Sequence, residues 1–157
     1  MTSAADAIRV KAIAIVERRN ELLLSFARDP ATGLRYGRFL GGGIELGERF
    51  EDTIRRELHE EIGVRVGEVV RLGVVQNIFQ LDSRTIHEVI VVCAARLADP
   101  TVYRIGTFPV NEAVCDGPAE WIPLERVLTG DVTIYPDELV TLLGRALPSG
   151  LATGPFV

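Results

Sequence analysis

The chain has 157 residues, about the length of one domain, and at 47% hydrophobic and 25% charged it has an ordinary globular composition with material enough for a core. Its net charge of -5 is a poor background for a sequence-independent grip on a polyphosphate backbone, which argues against a bulk nucleic-acid binder. Cys93 and Cys115 form neither a disulfide framework nor a zinc pattern, so both read as reduced thiols.

Residues 1–7 lack the basic segment followed by an apolar stretch that marks a secretory leader, and they read as a loose terminus. Residues 8–16 and 22–27 are two β-prone runs separated by the polar group Glu17 to Glu21, which predicts a hairpin. Residues 29–37 carry Pro30, Gly33 and Gly37 and read as a loop that leads through Arg38, Phe39 and Leu40 into three glycines. Residues 50–62 are a helix: Phe50, Ile54, Leu58 and Ile62 recur at one-turn spacing, Glu48, Glu51 and Asp52 suit the positive end of the dipole, and Gly63 supplies a left-handed stop. Residues 68–80 and 84–98 are rich in Val and Ile around a short polar break, which predicts a second antiparallel pair.

Residues 99–117 read mostly as loop, 120–123 as a short strand, 124–128 as a helical turn, 136–147 as a last helix, and 148–157 as a loose tail. The longest unbroken apolar run, residues 89–95, is far short of the roughly 20 residues that cross a bilayer, so the expectation is a soluble, cytoplasmic protein with no membrane partner. Strands that mostly neighbour in sequence, with two helices and no linker or repeat, indicate one α+β domain over residues 1–157 with a mixed sheet flanked by helices.

The chemistry concentrates between Gly41 and Val64. At about 100° per residue, with Glu57 at zero, Glu60 falls near -60° and Glu61 near +40°, between Phe50 at about +20° and Ile54 at about +60°. A solvated acidic face would lie opposite the apolar stripe, whereas these three carboxylates flank or invade it, where an uncompensated charge is costly. Two like charges about 6 Å apart repel by roughly 2.8 kcal/mol at an effective dielectric of 20, so the cluster calls for a cation. Oxygen ligands select a hard ion, Mg2+ first and Mn2+ second, and such an ion is the usual clamp on a phosphoryl group. Gly41 to Gly43 let the backbone come close to a ligand, and Arg56, on the other side of the helix, is placed to pair with Glu48 and fix the loop.

Gly42, Glu48, Arg56-Glu57-Leu58, Glu60-Glu61 and Gly63-Val64 stand at the spacing of the complete Nudix box, and the sequence resembles the Nudix hydrolase family. At roughly one chance in ten per fixed residue, the full pattern arises about once in ten million starts. The proline many members carry before the glycine pair is replaced by Leu40-Gly41. The resemblance implies an α/β/α sandwich and a metal-dependent hydrolase that cleaves a pyrophosphate bond in a nucleoside diphosphate linked to another group. It implies Glu57, Glu60 and Glu61 as metal ligands with the Gly41 carbonyl, Glu57 and Glu60 as catalytic residues supported by Arg56 and Glu48, and one glutamate, not settled by sequence, as general base. A further carboxylate outside the box is left open among Glu88, Glu112, Asp116 and Glu120.

Substrate-binding candidates are Arg38, Phe39 and Glu88, with Arg28, Arg35, Arg84 and Arg104 for phosphates and Tyr36, Phe79 and Tyr103 for stacking. His87 is a weaker neighbour of Glu88, and Trp121 reads as core. The proline and tyrosine that mark the family's ADP-ribose and diadenosine polyphosphate subclasses are missing from residues 77–82, leaving nucleoside triphosphates and other small nucleotide derivatives open. The partner is then a small nucleotide-type substrate, and the protein a monomer or homodimer. The alternative is a Nudix-like domain without turnover that senses a nucleotide or binds a protein.

Overall fold

The structure, a computed structural model, describes residues 7–147, so the expected loose termini lie outside the described residues except for Ala7. In chain order the elements are β1 (Arg9–Ile15), β2 (Glu17–Arg18), β3 (Glu21–Arg28), β4 (Arg35–Arg38), β5 (Leu40–Gly43) and α1 (Phe50–Ile62). There follow β6 (Val66–Leu81), β7 (Arg84–Leu97), a short tight helix (Pro100–Arg104), β8 (Thr107–Phe108), β9 (Ala119–Pro123), α2 (Leu124–Leu128) and α3 (Glu138–Ala146).

One sheet runs β5-β1-β7-β6, with β1 and β7 parallel and the other pairs antiparallel. The other runs β2-β3-β9-β8 with β4 beside β3. Period-2 alternation sorts the buried side chains onto two faces. Ile13, Ile15, Leu22, Leu24, Ile90 and Val92 join Leu139 and Leu143 of α3 in one core. Ala12, Ala14, Leu23, Cys93 and Ala95 join Ile54 and Leu58 of α1 in the other. Both faces being buried, the architecture is a mixed sheet layer between helices, the α+β sandwich of the sequence reading.

The expected hairpin of residues 8–16 with 22–27 is corrected in its pairing. The turn is there, with Arg19 and Asn20 at φ 43° and 63°, but it joins β3 only to the two residues of β2. The chain changes sheets at Val16, so β1 pairs instead with β5 and β7. β3 finds a second partner in β4, whose first three residues had read as loop. The β6–β7 pair forms around Asp82 and Ser83, both in the left-handed region that a two-residue turn demands. No helix among the described residues is long and apolar enough to cross a membrane.

Candidate active site

Gly41 sits at φ 141°, and a Cβ there would collide with the Ala12 carbonyl, so only glycine lets β5 lie this close against β1. At Gly42 a Cβ would run into the Glu57 carboxylate, which rests directly on the glycine backbone. Past Gly43 the loop turns into α1, whose exit is closed by Gly63 at φ 71°, its N–H bonded back to the last turn. Thr53, Ile54, Leu58 and Glu61 are the buried residues of α1.

Arg56 is the hub of the loop–helix unit. Its Nε donates to Glu48 Oε1 at 2.9 Å and its Nη2 to Glu48 Oε2 at 3.0 Å, a bidentate pair, while Nη2 also reaches the Gly43 carbonyl at 3.0 Å. Its Nη1 donates to Glu57 Oε1 at 2.8 Å and lies 3.5 Å from Glu60 Oε2. Glu48 further accepts from the Thr53 hydroxyl at 2.7 Å and the Glu45 N–H at 3.1 Å. Arg56, then Thr53 and the Glu45 amide, hold the Glu48 carboxyl down at about 2. Glu48 in turn pushes Arg56 further above its already high value.

Glu61 is in the opposite condition. It is 8% exposed, and its Oε2 accepts one hydrogen bond, from the Gly41 N–H at 3.1 Å. Burial first, then the negative charge of Glu112 and of Glu57, push its carboxyl up to about 8, against the Gly41 amide and the more distant Arg38. Glu112 arrives on the 109–117 loop, which is tied to α1 by the Asn111 N–H donating to the Glu61 carbonyl at 2.8 Å. Arg38 faces Glu112 with both Nη atoms, at 3.3 and 3.4 Å. Glu48, Arg56, Glu57 and Glu60 are therefore gathered in one ion-pair network, and Glu61, Gly41, Glu112 and Arg38 in the zone next to it.

The other candidates go elsewhere. Asp116 pairs with Arg28 and Arg35, and Glu120 with Arg35. Phe39 is 7% exposed and belongs to the α3-side core, which commits its ring to packing. Glu88, 7% exposed, shares the face of Ile90 and Val92 rather than that of α1, and pairs with Lys11 at 3.5 Å. Tyr36 packs edge-on against Tyr135, and Tyr103 lies over Trp121. Cys93 and Cys115 are free thiols, and burial pushes Cys93 up to about 12. Lys11, which nothing in the sequence singles out, is the cation that the fold places beside Glu88.

Among the described residues no three His, Cys, Asp or Glu side chains stand together as a finished cage for a metal ion. The donor chemistry nonetheless fits a hard divalent cation: a buried carboxylate with one hydrogen-bond donor and two carboxylates pressing on it is stabilised by added positive charge. The neighbouring open cleft, about 860 Å³, is lined by Lys11, Gly43, the 44–48 loop and Glu88, and can hold a small ligand beside the glutamates.

A glycine-rich strand end feeding a helix whose glutamates crowd one side, on a sandwiched mixed sheet, defines a Nudix-type domain. The NUDIX domain model matches residues 7–143, and the chain belongs to the NUDIX family. The fold is similar to a MutT NUDIX hydrolase from Burkholderia pseudomallei, 23% identical over 88% of this chain and 98% of that one with a TM-score of 0.64. It is similar also to a NUDIX hydrolase from Nitrosomonas europaea, 14% identical over 96% and 99% of the two chains with a TM-score of 0.65. The E. coli ORF135 protein matches at 21% identity over 98% and 100%, with a TM-score of 0.57. Nudix hydrolases generally use divalent metals.

Proposed function

We propose that the chain is a magnesium-dependent hydrolase, with manganese as substitute, that cleaves a pyrophosphate bond in a nucleoside diphosphate linked to another group. It acts as a single cytoplasmic domain, monomer or homodimer, on small nucleotide-type substrates. The observation that carries this reading is Glu61, buried on the helix of the matched Nudix domain with the Gly41 N–H as donor and with Glu57 and Glu112 close enough to raise its carboxyl, an arrangement that added positive charge would stabilise.

Glu57, Glu60 and Glu61, with the Gly41 carbonyl and Glu112 beside them, would hold the ion. When bound, such an ion lowers the pKa of water and offsets the charge of the phosphates. Arg56 keeps the 41–48 loop and the helix in one geometry through Glu48 and the Gly43 carbonyl, so its part is positioning. Among the described residues Glu57 and Glu60 have only Arg56 as ion-pair partner, and one of them takes the proton from the attacking water. Arg38, turned toward Glu112, is a donor that can exchange a carboxylate for a phosphate oxygen.

The test is a screen of nucleoside triphosphates and nucleoside diphosphate derivatives with magnesium, reading phosphate or pyrophosphate release. Turnover that stops with chelator and returns with magnesium or manganese is the expected result. Nucleotide binding without turnover on any substrate would give the sensing or protein-binding alternative instead.

A further inference from the structure

The sequence contains sixteen arginines and one lysine, and that lysine, Lys11, lines the cleft beside the glutamate cluster. Its Nζ is 3.5 Å from Oε1 of Glu88, and Asn77 donates from Nδ2 to Oε2 of the same carboxylate at 3.4 Å. Glu88 is a charged side chain 7% exposed on the cleft wall, and each of its oxygens has one partner at the long end of contact. Because the carboxylate borders the open cleft, each oxygen keeps a lone pair that a ligand N–H can use. Asn77 lies opposite Glu88 in the register, whereas Lys11, opposite Ile90 on one side and Gly43 on the other, reaches Glu88 diagonally from the next position on the same face. The Gly43 carbonyl is bonded to Arg56, so the Lys11–Glu88 pair and the Arg56 network share one strand end.

We propose that Lys11 and Glu88 form the specificity determinant for the base of the nucleotide, and that the base is guanine. This rests on the nucleotide pyrophosphohydrolase reading of the adjoining site. Between them the pair offers one ammonium donor and, on the two carboxylate oxygens, two acceptors, of which Oε2 also takes the Asn77 amide. Guanine presents the complement, the O6 acceptor followed by the N1–H and N2–H donors. Adenine and cytosine each turn a ring-nitrogen lone pair toward a carboxylate oxygen, and uracil turns its second carbonyl toward one, which sets acceptor against acceptor. Hypoxanthine keeps O6 and N1–H and lacks the amino group, so it isolates the second carboxylate contact. Asn77 restrains the carboxylate through its bond to Oε2, and the compact ammonium of lysine suits a single carbonyl where an arginine fork suits two acceptors. A site built to pair buried polar groups discriminates strongly, because the wrong base leaves them unpaired.

The experiment compares GTP, ITP and ATP in kcat/KM with magnesium, and GDP with IDP in calorimetric binding, for the unmodified protein, Glu88→Gln and Lys11→Met. The expected preference for GTP over ITP is about tenfold or more, the worth of a hydrogen bond to a charged acceptor. Glu88→Gln should bring that ratio close to one, and Lys11→Met should weaken GTP and ITP alike while leaving their ratio. Thermal unfolding of each variant checks that it is folded; if Glu88→Gln does not fold, Asn77→Ala, which frees the carboxylate to swing, should also shrink the GTP to ITP ratio. Equal use of GTP and ITP by the unmodified protein, or an unchanged ratio in folded Glu88→Gln, overturns the inference and leaves the hydrolase reading standing. If no nucleotide is hydrolysed, the hydrolase reading falls, and the GDP to IDP binding ratio still decides the base.

Discussion

Glu48 and Glu61 belong to one loop–helix unit, yet they are held in opposite electrostatic conditions. Glu48 has four donors, two from Arg56, and stays ionised down to about 2. Glu61 is buried, with one donor and two negative neighbours, and keeps its proton up to about 8. Satisfied hydrogen bonds make the first a structural fastener; their scarcity makes the second a group that gains most from a cation. The electrostatic condition of each carboxylate in this unit therefore follows from its burial together with the donors that point at it.

The largest effect should come from removing the charge of the unsatisfied member. Glu61→Gln keeps size and the Gly41 hydrogen bond while deleting a proposed ligand, so turnover should fall by at least about a hundredfold at saturating magnesium. Steady-state kinetics at graded magnesium checks it, and near-normal rates would remove Glu61 from the ligand set.

Arg56→Ala should come next, with activity reduced by about tenfold to a hundredfold, since it loosens the support and leaves every proposed ligand in place. Because Arg56 and Glu48 share two hydrogen bonds, a double-mutant cycle with Glu48→Gln should be strongly non-additive. Additive losses would mean the fastener does not act as a pair.

How much of this was legible in the sequence depended on whether the information was local. The helix, its glycine stop, the placing of Glu61 against the apolar stripe and the proximity of Arg56 to Glu48 all follow from spacing within one continuous segment. Glu112 comes to Glu61 through a backbone bond from Asn111, on a loop without periodicity, so four acidic residues outside the box looked alike. The same limit explains the hairpin: alternation shows that residues 9–15 form a strand, but not that the strand's partner is β7, some eighty residues on. Glu88 stood out as a polar residue opening an apolar strand, while Lys11 could be recognised only once the register set it beside Glu88.

The smallest effect concerns stability against pH in chelator, and it separates the two carboxylates directly. Glu61 has a folded pKa of about 8 against an unfolded value near 4.5, so the native state binds the extra proton. Stability should then decline as pH rises from about 4.5 to about 8, and Glu61→Gln should flatten that decline. Glu48 works in the other direction. Its folded pKa of about 2 lies below the unfolded one, so its stabilisation is present above about 4.5 and is lost as pH falls toward 2. Glu48→Gln should remove part of the acid-side loss and leave the alkaline side alone. Urea unfolding of the three proteins across this range, at fixed ionic strength, reads both slopes. If Glu61→Gln left the slope between pH 5 and 8 unchanged, the buried carboxyl would not be holding its proton in the folded state. The contrast between the two glutamates would then reduce to the Arg56 pair alone. Added magnesium gives the same comparison a second reading, since a cation that engages ionised Glu61 should erase the decline in the unmodified protein and do nothing for Glu61→Gln.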